Sequence, residues 1–124
     1  MDDHTEIIEI EKRIKTALAR MTALAAHVGA ARQVKEFSTD QRKNALAVEV
    51  TRYIQRGESV AASETLGRSS PLYLEKLKKL EEDYKQAETV LAEWQITMTK
   101  IDSYRSMLAM IRETMHAGIA GGGF

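Results

Sequence analysis

This chain of 124 residues contains no cysteine. That excludes disulfides and thiolate metal sites, and it fits a reducing compartment. It has a single proline, Pro71, and only Gly29, Gly57 and Gly67 interrupt it before a glycine-rich C-terminus. With so few breakers, nothing local stops long helices. The chain also lacks net charge, because 18 Lys and Arg balance 18 Asp and Glu. No global field therefore draws in nucleic acid or an anionic membrane, and any such binding needs a local patch. No stretch approaches the roughly 18 apolar residues of a membrane span. The opening Met1-Asp2-Asp3-His4 is acidic where a signal peptide is basic. A soluble cytoplasmic protein without a membrane partner is expected.

What the chain does have is a heptad ladder. Tyr73, Leu77, Leu80, Tyr84, Ala87, Leu91, Trp94, Met98 and Ile101 step by four and then three. Such spacing keeps one apolar seam on one side of a helix, and that seam must be buried against another helix. The ladder continues through Arg105, Leu108, Arg112 and Met115. A second series, Tyr104, Leu108, Ile111 and Met115, competes with it past Ile101 and would turn the seam. A shorter ladder of Ile7, Ile10, Ile14, Ala17, Met21, Leu24, Val28 and Ala31 marks a first helix over about 3–36, with Asp2, Asp3 and Glu6 at its positive end.

A break is expected at Phe37–Gln41, where Ser38 and Gln41 have capping-box spacing. A second helix then covers about 39–56 and ends at Gly57. A short helix over about 58–66, or a mobile linker, precedes Ser69-Ser70-Pro71, a cap followed by proline at the first helical position. The last helix spans about 71–115, and 117–124 is expected to be a flexible tail. The fold class that follows is all-α: one domain over 1–116, a long antiparallel, coiled-coil-like helical hairpin with a broken middle helix. Its apolar faces are too large for one middle helix to cover. A homo-oligomer is therefore expected, with Ile7, Ile10, Ile14, Met21, Leu24, Leu77, Leu80, Tyr84, Leu91, Trp94, Met98 and Ile101 at the interface.

No Gly-x-Ser-x-Gly, P-loop, His-Glu-x-x-His or dinucleotide turn is present, so a non-enzymatic protein without cofactor is expected. Glu113-x-x-His116 matches half of a di-iron bundle motif, which needs two such units and two further carboxylates; no metal site is expected. Arg52 and Arg56 lie one turn apart beside Tyr53, with Arg42 and Lys43 upstream. A basic pair with an aromatic can hold single-stranded nucleic acid, the ring stacking on a base. The alternative is a solvated helix face with Tyr53 in the core. Arg105 and Arg112 invite three readings: a basic stripe for phosphates, seam-edge residues whose stems cover apolar surface, or a register pair with an acid of a neighbouring chain.

The order of these features resembles the UvsY-type recombination mediators of T4-like phages. The resemblance covers about 42–115. It rests on Arg42-Lys43 through Arg52-Tyr53, then Arg56-Gly57-Glu58, then Tyr73 through Trp94, then Arg105 and Arg112. The first helix departs from that pattern in its length and alanine content. The resemblance implies a small helical oligomer that binds single-stranded DNA and assists recombination or replication, with Arg42, Lys43, Arg52, Tyr53, Arg56, Arg105 and Arg112 at the nucleic acid. The alternative from the residues is a protein–protein adaptor or inhibitor that binds no nucleic acid.

Overall fold

A computed structural model describes the backbone of residues 2–122 and the side chains of residues 2–118. Three helices occupy nearly all of it: α1 (Asp3–Gln55), α2 (Val60–Ser69) and α3 (Pro71–Gly122). No strand occurs among the described residues. The all-α hairpin expected from the ladders is what the chain forms. Its polar contacts run antiparallel: Arg20 meets Glu93 and Glu11 meets Arg112, while Glu49 meets Ser70.

The helix ends follow from local chemistry. Asp2 caps α1 by accepting the Thr5 N–H at 2.7 Å, and these hydrogen bonds hold its carboxyl below the ordinary carboxylate range. α1 ends at Gly57, whose φ of +96° only glycine takes without strain. There the Glu58 N–H donates to the Tyr53 carbonyl and the Gly57 N–H to the Ile54 carbonyl, the paired bonds of a Schellman turn. Ser59 caps α2 by accepting the Ala62 N–H at 3.2 Å. Ser70 ends α2, and Pro71 opens α3.

Three expectations are corrected. The break at Phe37–Gln41 does not occur, and α1 is a single helix of 53 residues. Ser38 does not cap; its hydroxyl donates back to the Lys35 carbonyl within the helix. The inward-facing series Val28, Ala31, Val34, Ser38, Ala45 and Glu49 continues through the region, so tertiary packing outweighs the capping tendency. Gly67 does not end the short helix but lies buried inside it. A Cβ there would sit 3.0 Å from Val50 Cγ2, so glycine serves the close approach of α2 to α1. The expected tail at 117–124 is helical through Gly122; Gly123 and Phe124 lie outside the described residues.

The expected single domain divides into two compact units: Met1–His27 with Ala92–Phe124 (unit 1), and Val28–Leu91 (unit 2). In unit 1, Ile10, Ala17 and Leu24 of α1 and Ile101 and Leu108 of α3 form the buried core. In unit 2, Val28, Ala31, Leu80 and Ala87 are buried, with α2 packed through Ser63 and Gly67. Ile10, Leu24, Leu80 and Ile101 were expected between chains but are covered within this one, because the α1 and α3 seams bury each other. Ile7, Ile14, Met21, Leu77, Tyr84, Leu91 and Trp94 are half-buried.

The α3 seam does not follow the full ladder. After Leu91 and Trp94 the next inward residue is Thr97, not Met98, which is 37% exposed. Thr97 tolerates burial because its hydroxyl donates to the Glu93 carbonyl at 2.7 Å. Two successive three-residue steps shift the seam, as an inserted three residues does in a coiled coil. It then runs through Ile101, Tyr104, Leu108, Ile111 and Met115, leaving Arg105 and Arg112 exposed.

Candidate functional site

The seven residues singled out for nucleic-acid contact fall in different units. Arg42, Lys43, Arg52, Tyr53 and Arg56 belong to unit 2, and Arg105 and Arg112 to unit 1. Arg42 and Lys43 are exposed on α1. Arg52 is not free in solvent. Its Nη2 lies 3.5 Å from Oε1 of Glu49, whose side chain is only 7% exposed. The Ser70 hydroxyl donates to the other Glu49 oxygen at 3.0 Å. The buried carboxylate thus ties the α2–α3 junction to α1 through Ser70 and pairs with Arg52 one turn along its own helix, and these bonds offset the cost of burying it.

Tyr53 is half-buried, and the Arg56 guanidinium sits 5.5 Å from its ring centroid in a cation–π contact. An incoming base must compete with Arg56 for the ring. Arg112 pairs at 3.1 Å with Glu11 of its own chain, and Arg105 is exposed at the seam edge. Both match the seam-edge reading of these arginines. Glu113 and His116 gain no metal partners: no group of three metal-ligating side chains occurs among the described residues.

A groove of about 590 Å³ in unit 2 gathers what the sequence scattered. It joins Arg52 of α1 to Tyr73, Lys76 and Lys79 of α3, with Gln41 and Asn44 on its α1 wall. Glu49 and Asp83 also line it, and Glu49 is already engaged. Lys76 and Lys79 do not stand out in the sequence, where Tyr73 reads as a ladder residue and the lysines as its solvated flank. Their legible signal is the three-residue spacing Tyr73, Lys76, Lys79, which sets a second stripe beside the seam. The charge balance around this groove is close. Unit 2 carries eleven Lys and Arg against ten Asp and Glu, and unit 1 carries seven against eight.

No helix among the described residues is long and apolar enough to cross a membrane. Comparison with protein-family models, with curated proteins and with solved structures finds no match for this chain.

Proposed function

We propose that this chain is a non-enzymatic helical accessory protein that binds single-stranded DNA and assists recombination or replication. The supporting observation is the unit 2 groove, which Arg52, Lys76 and Lys79 line together with Tyr73, with Arg42 and Lys43 exposed on the same unit. Cations along a groove track a phosphodiester backbone, and an aromatic at the groove accepts a base of any sequence by stacking. One chain offers few phosphate contacts. Several copies, associating through the half-buried and exposed apolar residues beside the seams, would pool them.

The test is fluorescence anisotropy of a labelled oligothymidine titrated with the protein across a salt series. Binding that weakens steeply with salt is expected, because each neutralised phosphate of a single strand adds about 0.7 to the slope of log K against log salt. Absence of binding at low salt overturns the reading.

A second reading, a protein–protein adaptor or inhibitor, is favoured by the near-equal charge of each unit and by the carboxylate partners of Arg52 and Arg112. It predicts a stable complex with a protein partner and no salt-sensitive DNA binding.

A further inference from the structure

We propose that unit 1 carries a second phosphate-binding track, on one side of the line where α1 and α3 meet. The proposal rests on the single-stranded-DNA reading and adds a site that reading does not use.

The two sides of unit 1 differ in chemistry. On one side, Leu18, Met21 and Met98 line a shallow recess of about 260 Å³ with Asp102 and Arg105 at its edge. On the other, a groove of about 360 Å³ is lined by Lys12, Arg13 and Arg20 of α1 and by Lys100 and Tyr104 of α3. Glu9 is the one acid among its lining residues. The α1 wall from Glu9 to Arg20 extends about 17 Å at 1.5 Å per residue, so it forms a track rather than a point site.

The shift of the α3 seam builds this groove. Had Met98 and Arg105 stayed in the seam, Lys100 and Tyr104 would sit farther round the helix, away from α1. With Thr97 buried in place of Met98 and Tyr104 half-buried, Lys100 turns into the groove and Arg105 turns out of the seam. On α1, Arg13 and Arg20 are seven residues apart, a stripe beside Ile10, Ala17 and Leu24.

The donors in the groove are available. Lys12 and Lys100 form no ion pair among the described residues, and the Tyr104 hydroxyl makes no hydrogen bond among them. Arg13 pairs with Glu9 at 3.4 Å and Arg20 pairs with Glu93, but all four side chains are more than two-fifths exposed. Such solvent-exposed pairs hold weakly, and a phosphate oxygen can replace the carboxylate. The Thr16 and Thr97 hydroxyls donate to the Lys12 and Glu93 carbonyls, so they shape the wall and leave the anion to the cations and the phenol. The ligand chemistry is a chain of phosphodiesters, which guanidinium and ammonium groups spaced along a helix follow without reading bases.

The deciding experiment compares three full-length proteins with labelled oligothymidine across a salt series: the natural chain, Lys12→Gln with Lys100→Gln, and Lys76→Gln with Lys79→Gln. All four lysines are exposed, and circular dichroism confirms that helicity is kept. The Lys12/Lys100 variant is expected to lose about 1.4 from the slope of log K against log salt, the value of two phosphate contacts. A natural slope in that variant overturns the unit 1 track. If the Lys76/Lys79 variant loses slope while the Lys12/Lys100 variant does not, the DNA reading survives and the second track fails. If the natural chain does not bind at low salt, both fall together.

Discussion

Units 1 and 2 are built from the same two long helices, yet they hold those helices together differently. Among the described residues of unit 1, the polar contacts between α1 and α3 are Arg20 with Glu93 and Arg112 with Glu11, each side chain more than two-fifths exposed. Exposed pairs are worth about 0–1 kcal/mol each, so the register there rests on Ile10, Leu24, Ile101 and Leu108 in the seam. In unit 2 a buried carboxylate, Glu49, holds Ser70 and Arg52, and Gly67 lets α2 approach Val50. Removing one partner from a buried polar contact costs far more than removing one from an exposed pair. The apolar seam between α1 and α3 is thus common to both units, and unit 2 adds a buried polar contact from α1 to the α2–α3 junction.

The comparison breaks most visibly at the seam itself. Leu24→Ala is expected to destabilise the protein by about 2–5 kcal/mol, the usual cost of a cavity at a buried leucine, because Leu24 is only 4% exposed. Chemical denaturation measures it, and a cost below about 1 kcal/mol would mean that unit 1 does not depend on its seam.

The next largest effect isolates the buried polar stitch. Glu49→Ala is expected to cost about 1–3 kcal/mol, since it leaves the Ser70 hydroxyl without an acceptor and Arg52 without its carboxylate. Hydrogen exchange of α2 amides should rise in this variant while amides around Ile10 and Ile101 keep their protection. Equal loss in both places would show that the units do not open separately.

The smallest effect sharpens the other half. Arg112→Gln removes one exposed pair and should change stability by no more than about 1 kcal/mol. A thermal melt of the variant that drops as far as that of Glu49→Ala would erase the distinction between the units.

Much of this fold is legible in the sequence. Pro71 opens α3 and Gly57 closes α1 because each has a backbone property no other residue supplies. The ladder from Tyr73 to Trp94 faces inward as its spacing requires. What is not legible depends on a second helix. Ser38 and Gln41 carry a capping pattern that takes effect only if the chain leaves the helix, and the seam against α3 keeps it there. Gly67 looks like a terminator until Val50 arrives beside it. The choice between Met98 and Thr97 turns on which residue the facing helix meets, so periodicity alone favoured the more apolar one.

The candidate site was legible in part, for the same reason. Arg52 does line a groove, but Lys76 and Lys79 join it only through the pairing of α1 with α3. Arg105 and Arg112 stood out because they interrupt a ladder, and the turned seam sets them at its edge. Lys12, Arg13 and Arg20 form a groove only where Lys100 and Tyr104 of α3 meet them, so α1 alone carries no sign of it.

The antiparallel pairing also sets an order of events during synthesis. Contacting residues lie 21 apart at Glu49 and Ser70, 73 apart at Arg20 and Glu93, and 101 apart at Glu11 and Arg112. The half of α1 that emerges first is therefore the half whose partner is made last. At about 5–20 residues per second, Ile10 and Leu24 wait on the order of ten seconds for Ile101 and Leu108. During that interval their apolar stripe is open to chaperones, to other nascent chains on the same message, or to a second finished copy. Whatever meets that stripe first competes with the chain's own C-terminal half, so translation speed bears on how this chain folds.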